Sequence, residues 1–297
     1  MSEKLTIAIP FYQRRDYLEL AIASVLGQDL ADWRLLVVDD SGADQGVEGW
    51  LRELNDNRIA YHRNPRNLGM VHTWNLCLDR ATGELVTLLH GDDLLLPDYA
   101  SLVLELAAAH PGAAAFCCDA SIIDADGAPT FSLADTVKPL YRPRGPDPLL
   151  VSGEAGLRAI MRGNFIMCPT LCYRRAALGQ RRFAPQWKQV QDLDFTSRLL
   201  LDGDAIVCSR KKAYAYRRHS GGATALQSES RLRFDEEFVL FDRVAERARE
   251  LGWERAARVA GRKCTVRLHL LYRALREIQH LRLGTALGWL RYLVRQR

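Results

Sequence analysis

Short apolar runs alternate with helically spaced apolar positions through the first hundred residues. Leu5-Thr6-Ile7-Ala8-Ile9 reads as a strand stopped by Pro10, and Leu35-Leu36-Val37-Val38 as a second that ends at Asp39-Asp40-Ser41-Gly42. Between them, Leu18, Ala21, Ile22, Val25 and Leu26 recur at the 3.6-residue period and predict an amphipathic helix over 15–27. The same reading gives a helix over 45–55, a short strand at 59–62, a helix over 70–80 and a strand at 85–89. A helix over 98–109 and a strand at 113–118 follow. Strands alternating with helices predict a parallel sheet covered on both faces.

The second half is less regular. Residues 124–148 are rich in Asp, Gly and Pro and read as a long loop or irregular hairpin. Ser152 is placed to cap a helix over 153–162, and short strands at 170–173 and 205–208 flank a helix that starts near Asp192. A strand over 213–217 leads to Ser220-Gly221-Gly222, and from Ser228 onward the pattern is helical, with Gly252, Gly261 and Gly284 as breaks.

The chain has 297 residues, 48% hydrophobic and 26% charged, enough to bury a full core as one large α/β domain or two intimate ones. No apolar run is long enough to span a bilayer, and the N-terminus has no charged-then-apolar signal region. Seven scattered cysteines without a CxxC pair predict free thiols in a reducing cytoplasm. The net charge of +5 is unevenly spread: from Arg262 onward there are nine Lys or Arg residues and one acid, Glu277, with aromatic and leucine residues interleaved. That end suits a membrane surface or another polyanion, or else a helical cap that packs or dimerises.

In open α/β sheets, ligands bind beyond the carboxyl ends of the strands. That rule gathers Pro10–Tyr12, Asp39–Ser41 and Asp92-Asp93 into one crevice. Two adjacent carboxylates at a strand end suit a divalent cation, and a cation suits a diphosphate. Alone, the pair is equally a polar turn. GxGxxG after the first strand, GxxxxGK[ST] and GxSxG are all absent, which removes the main support for dehydrogenase, P-loop and serine-hydrolase readings.

An ordered set of motifs resembles glycosyltransferase family 2. It runs from Ile9-Pro10-Phe11-Tyr12-Gln13-Arg14 through Val37-Val38-Asp39-Asp40-Ser41-Gly42, Asn67-Leu68-Gly69 with Asn75, and Gly91-Asp92-Asp93. It continues to Gln191-Asp192-Leu193-Asp194 and Tyr216-Arg217-Arg218-His219. The family departures are Gln13, where Asn is usual, and Gln191, where Glu is usual. The resemblance covers roughly residues 5–225 and implies an α/β fold of the GT-A type, a Rossmann-like mixed sheet flanked by helices, with a C-terminal helical extension. The implied division is 1–110 for the nucleotide-sugar-binding half, 111–227 for the acceptor-binding and catalytic half, and 228–297 for the basic helical extension.

The resemblance further implies a non-processive, inverting transfer of one sugar from a UDP-sugar, with Mn²⁺ or Mg²⁺, to a hydroxyl of a glycan, lipid-linked or small-molecule acceptor. Asp192 is the expected base. Asp93 and His219 are the expected metal ligands. Pro10, Tyr12, Asp39, Asp40, Asn67, Asn75, Asp92 and Arg217 are expected around the nucleotide, with Asp92 on the ribose side. Asn164, Thr170, Trp187 and Gln191 are expected to shape the acceptor pocket, and His90 is given no ligand role. Asp194 and Arg198, four apart, read as a structural ion pair. No nucleic-acid partner is expected; a homodimer and a cytoplasmic, membrane-peripheral location both fit. The processive QxxRW motif is absent, Gln180-Arg181-Arg182-Phe183 lacking the pattern. Two other readings stay open, a catalytically inactive binding protein of this fold and a nucleotidyltransferase. The latter needs a basic Gly-rich loop where Pro10-Phe11-Tyr12-Gln13 stands.

Overall fold

A computed structural model describes residues 3–132, 137–219, 221 and 231–295. Strand β1 (Leu5–Phe11), helix α1 (Arg15–Leu26), β2 (Trp33–Asp39), α2 (Val47–Glu53), β3 (Ile59–Arg63), α3 (Met70–Arg80) and β4 (Leu85–Leu88) follow in order. β1 pairs in parallel with β2 and β4, and β2 with β3. The continuous apolar runs explain why both faces are covered. Leu5, Ile7, Ile9 and Phe11 pack with α1, while Ala8, Leu36, Val38 and Val86 pack on the other side with Trp74 and Cys77 of α3.

β1 continues through Pro10 instead of stopping there. The Ala8 carbonyl accepts from Leu89 and the Phe11 carbonyl from Asp40, so even positions of β1 face β4 and odd positions face β2. The pairing with β4 ends at Ala8↔Leu88, so the missing N–H of Pro10 points where no strand partner remains.

The rest of the sheet is mixed. The short β5 (Leu94–Leu95) and α4 (Tyr99–Ala109) precede β6 (Ala115–Ile123), β7 (Leu149–Ser152), α5 (Gly153–Arg162), β8 (Cys172–Arg174), the short α6 (Arg175–Leu178), α7 (Gln191–Leu201) and β9 (Ala205–Arg217). The sheet order is β3-β2-β1-β4-β8-β6-β9-β5, with β7 on β9. β8 runs antiparallel between β4 and β6, so the two predicted halves share one continuous sheet.

Three strand expectations change. The strands expected at 205–208 and 213–217 are one strand; Ser209-Arg210-Lys211-Lys212 has no apolar pattern to mark it, and the register against β6 shifts there from Cys117↔Cys208 to Asp119↔Lys212. The strand expected at 113–118 runs on to Ile123, paired with β9 out to Arg217. β7, just past the loop expected over 124–148, has no counterpart among the expected strands; it pairs antiparallel with β9 from Leu149↔Cys208 to Ser152↔Ala205. Ser152 occupies the cap position of α5 but makes no side-chain cap bond.

Helices α8 (Leu232–Glu250), α9 (Glu254–Arg262), α10 (Cys264–Gln279) and α11 (Leu283–Arg295) complete the described chain; the boundary expected at 227/228, with Ser228, lies outside the described residues. Gly252, with φ 73°, breaks the helices as expected. Gly261 and Gly284 instead lie within α9 and α11, and the other breaks fall at Lys263 (φ 50°) and Leu281 (φ 59°). Phe234, Phe238, Phe241 and Val244 of α8 join the same buried cluster as Phe183, Trp187 and Phe195. Glu154 of α5 accepts from the Arg255 and Ala256 amides at 2.6 and 3.1 Å, capping α9 from outside. Of the seven free cysteines, Cys264 is exposed and Cys168 half-buried, the other five buried.

Gly83, just before β4, is required by close approach. A Cβ there would lie 2.7 Å from the Thr6 nitrogen, 2.9 Å from the Leu5 carbonyl carbon and 3.0 Å from the Leu85 oxygen, all backbone. Gly83→Ala is expected to lose about 1–3 kcal/mol by forcing β1 and β4 apart. Urea unfolding measures it, and an unchanged midpoint would contradict the contact.

Candidate active site

The parallel register sets the site's edge. Phe11 lies beside Asp39 and Ala8 beside Leu88, so β1, β2 and β4 release their chains on the same side. A Cβ added to Gly91 would lie 3.6 Å from the Pro10 carbonyl oxygen, so the segment after β4 folds back over the end of β1. Tyr12 stands at this rim with 51% of its surface exposed, a flat apolar wall beside the half-buried Pro10.

Asp39 and Asp40 lie deeper than their expected nucleotide roles require. Asp39 is fully buried; its carboxylate accepts the Ser41 amide at 2.8 Å and the Tyr61 hydroxyl at 2.6 Å. Asp40 is 3% exposed and accepts from the Leu68 amide (2.8 Å), the Gly69 amide (2.9 Å) and Asn64 Nδ2 (2.8 Å). Asn67 Nδ2 donates to the Asp40 carbonyl at 3.0 Å. Asp40 and Asn67 therefore build the turn Asn67-Leu68-Gly69, from which α3 starts; Gly69 has φ 87°. Asn75, expected to face the nucleotide, is turned away. Its Nδ2 donates to the Phe183 carbonyl and its Oδ1 accepts the Phe183 amide, each at 2.8 Å. A side-chain amide matches the two polar groups of one loop residue that has no strand partner.

The acid pair follows on the same edge. Asp93 has no exposure; Oδ1 accepts the Arg217 amide at 2.7 Å and Oδ2 the Tyr214 hydroxyl at 2.9 Å. Burial first, and then the Asp92 charge, push its carboxyl well above the usual carboxylate range, against the pull of those two donors. Asp92 is more open, its side chain 34% exposed, and its Oδ2 lies 2.9 Å from His219 Nε2. The reachable carboxylate is thus Asp92, expected on the ribose side, while Asp93 lies beneath it. The His219 ring meets Tyr17 edge-on, centroids 5.2 Å apart. Ser220 and Gly222, which follow in the chain, lie outside the described residues.

Arg217, expected to neutralise phosphate, is buried and engaged elsewhere. Its guanidinium donates to the carbonyls of Asp92 (2.7 Å), Asp124 (3.1 Å) and Ala125 (3.0 Å). It is a strut that holds the acid pair against the loop after β6. The reason is topological, because β9 passes directly behind β5 and its last residue arrives under Asp92.

His90 enters the cluster unforeseen. One ligand atom each from His90, Asp92 and Asp93 lies within 4.8 Å of the others. Trp74 stacks on the imidazole at 5.4 Å, and burial lowers the His90 pKa against the charges of Asp92 and Asp192, keeping the ring neutral. Two carboxylates with a neutral imidazole form an oxygen-rich donor set that fits a hard or borderline divalent cation. The upward push on Asp93 is the strain such a cation would relieve. Its position directly after the acid pair's strand was the sequence signal for His90. Tyr214 had only strand alternation to mark it.

Asp192 lies near this cluster, close enough for its charge to act on His90. It does not cap its helix, since α7 starts one residue earlier and has no side-chain cap. Its half-buried carboxylate makes no hydrogen bond among the described residues. The approach to α7 is held from outside. Glu236 of α8, nearly buried, accepts the Lys188 amide at 3.0 and 3.1 Å and the Gln189 amide at 2.7 Å. Nothing in the charged pattern of α8 marked Glu236 for this role. Asp194 and Arg198 form the expected ion pair at 2.9 Å.

The acceptor expectations divide. Thr170 is fully buried, its hydroxyl on the Met167 carbonyl at 2.8 Å, and Trp187 packs in the core under the Arg243 guanidinium, 5.0 Å from its ring. Neither presents a face to a ligand: α8 covers Trp187, and the Thr170 carbonyl accepts from the buried Tyr99 hydroxyl at 3.2 Å. Asn164 is half-buried and accepts the Ile166 amide at 3.2 Å. Gln191 is 7% exposed, with its Oε1 buried and unpartnered.

The family model described as Glycosyl transferase family 2 matches residues 6–178. Among curated relatives, the GalNAc(5)-diNAcBac-PP-undecaprenol beta-1,3-glucosyltransferase of Campylobacter jejuni is 36% identical over 107 residues, covering 35% of this chain and 34% of that protein. The UDP-Glc:alpha-D-GlcNAc-diphosphoundecaprenol beta-1,3-glucosyltransferase WfgD of Escherichia coli is 28% identical over 102 residues, covering 34% and 40%. The matched region spans about a third of the length of these relatives. Among solved structures, S. aureus TarS 1-349 in complex with UDP-GlcNAc superposes with a TM-score of 0.63 at 19% identity, over 82% of this chain and 66% of that one. The mannosyltransferase PcManGT from Pyrobaculum calidifontis, in complex with GDP-Man and Mn²⁺, gives 0.62 at 15% identity, over 100% and 84%. These likenesses establish the expected GT-A fold, mixed sheet and C-terminal helices included.

Asp93→Asn can keep both contacts, accepting from the Arg217 amide and donating to Tyr214, and it removes the repulsion from Asp92. It is expected to leave the metal-free protein within about 1 kcal/mol of wild type or more stable. Saturating Mn²⁺ with UDP is expected to raise the wild-type melting temperature, and the variant to lose most of that rise. An equal rise in both proteins would exclude Asp93 from cation binding.

Proposed function

Because the chain belongs to glycosyl transferase family 2, we propose that it moves one sugar from a nucleoside-diphosphate sugar, a UDP-sugar first among them, to a hydroxyl of a glycan or lipid-linked acceptor in cell-surface polysaccharide assembly. The observation that carries this reading is the proximity of two chemistries. The His90, Asp92 and Asp93 cluster lies at the end of β4, and near it is the carboxylate of Asp192, which makes no hydrogen bond among the described residues. The two relatives above are named for transfer to undecaprenol-diphosphate-linked glycans, which supports an acceptor of that class.

The nucleoside would lie against the exposed ring of Tyr12 and beside Pro10, over the turn that Asp40 and Asn67 build. With three donors already on Asp40, a base N–H has at most one lone pair left to reach there. The diphosphate would meet Asp92 and His219, which with His90 and Asp93 would hold Mn²⁺ or Mg²⁺. The cation would supply charge stabilisation as the diphosphate departs.

Asp192 takes the proton of the acceptor hydroxyl as its oxygen attacks the anomeric carbon in line. The new C–O bond forms as the bond to the diphosphate breaks, and the nucleoside diphosphate leaves with the electron pair, inverting the centre. Glu236 acts by position: holding two amides ahead of α7 sets where Asp192 points.

Asp192→Asn is expected to keep donor binding by calorimetry while transfer falls by about 10³-fold or more. Normal turnover in this variant would remove Asp192 as the base. If no UDP-sugar releases UDP in a metal-dependent way with any candidate acceptor, the inactive-scaffold reading stands instead. Glu236→Ala is expected to lower kcat about tenfold or more with donor KM nearly unchanged. Glu236→Gln, which retains one oxygen for both amides, should recover part of the loss. A purely structural role for Glu236 would instead show as equal stability losses with no kcat difference between Ala and Gln.

A further inference from the structure

Helices α10 and α11 form an antiparallel hairpin whose inner side is accounted for by Val266, Leu270 and Ala274 of α10 and by Ala286 and Trp289 of α11. Its outer side is also apolar. On α10, Leu268, Leu271, Tyr272, Leu275 and Ile278 follow the spacing of one helical stripe, and all are exposed, Leu268 by 60%. The stripe spans ten residue steps, about 15 Å. Leu283, Leu287 and Val294 repeat the arrangement on α11.

The tip breaks two local rules at once. Leu281 is 86% exposed, and it holds a left-handed backbone at φ 59°. A leucine there costs about 1–2 kcal/mol in backbone strain alone, where Gly or Asn would cost little. A contiguous apolar face of this kind on a soluble protein marks something that covers it.

The charges select the occupant. Arg276 borders the α10 stripe and Arg291 the α11 stripe, both exposed. The one acid of the hairpin, Glu277, is on the opposite side of α10 with its side chain 13% exposed and facing Arg282 at 3.7 Å. A second copy related by a two-fold axis would set these arginine borders against each other. An anionic surface with an apolar interior answers both features together.

We propose that the α10–α11 hairpin is a monotopic docking surface for an anionic lipid bilayer, with Leu281 as its leading tip. The apolar stripes enter the boundary between headgroups and acyl chains, and the bordering arginines meet lipid phosphates. This surface is independent of the sugar-transfer reading, although a lipid-linked acceptor would be presented at the same bilayer.

Flotation of the full chain, without donor or metal, tests it. Vesicles of phosphatidylcholine and phosphatidylglycerol at about 2:1 are compared with phosphatidylcholine alone, at low salt and at about 0.5 M salt. The wild-type chain is expected to float with the anionic vesicles and to be released by salt or by neutral lipid. Leu275→Glu and Leu281→Asp change exposed positions, so neither should melt below wild type, yet both should bind at least about tenfold more weakly. Absence of flotation overturns the proposal, as does undiminished binding by both variants. Equal binding to neutral vesicles overturns the anionic assignment. A wild-type dimer in light scattering that Leu275→Glu dissolves, without flotation, gives the face to a second copy. Transfer to a soluble acceptor is unaffected by either substitution, so a failure here leaves the transferase reading in place, and the converse holds.

Discussion

A carboxylate removed from water needs donors or it destabilises the fold by several kcal/mol. Asp93 is such a group, and both its donors come from β9: the Tyr214 hydroxyl and the Arg217 amide. That constraint binds the segment after β4 to the strand that arrives more than a hundred residues later. With Asp93 held down, Asp92 is lifted to the crevice, and the Arg217 guanidinium seizes the Asp92 carbonyl from behind. His219, two residues past Arg217, is then delivered to the Asp92 carboxylate at 2.9 Å. The acidic edge of the site depends on one buried acid and on the strand built to satisfy it.

The opposite wall is organised by a second buried carboxylate. Glu236 reaches from α8 to two amides ahead of α7, so the helix that carries Asp192 is braced by the C-terminal region. Phe234, Phe238 and Phe241 place α8 inside the same core as Phe183 and Phe195. The C-terminal helices therefore divide by environment. α8 and α9 are interior walls of the catalytic unit, while α10 and α11 turn an apolar, arginine-bordered side outward.

Much of the first half was legible because its elements are carried by local patterns. Apolar runs marked β1, β2 and β4, and helical spacing marked α1 and α3, within two residues. Motif order identified the family. The misses share a cause: they lie where a partner outside the segment decides the structure. The middle of β9 is Ser-Arg-Lys-Lys, where the register against β6 jumps from Cys117↔Cys208 to Asp119↔Lys212, so two strands become one through an irregularity that only the pairing on either side defines. Gly261 and Gly284 were read as breaks from propensity, yet their helices are held by packing, and the turns fell on Lys263 and Leu281.

The same division runs through the site. Sequence alone determined which residue types meet at the strand ends, since parallel strands followed by Asp, Asn and His must release them on one edge. It also determined the family, because the order of motifs survives without any coordinates. Only the tertiary structure decided which of those side chains remain available. Asp39, Asp40, Asn75, Arg217 and Thr170 are engaged in holding the chain, while His90, which no motif assigned, joins the acid pair, and Glu236 reaches the two amides ahead of α7. The physical reason is that hydrogen-bond satisfaction and burial are properties of neighbours in space. A carboxylate's chemistry is written in its residue type, but its exposure is set by whatever strand or helix arrives beside it.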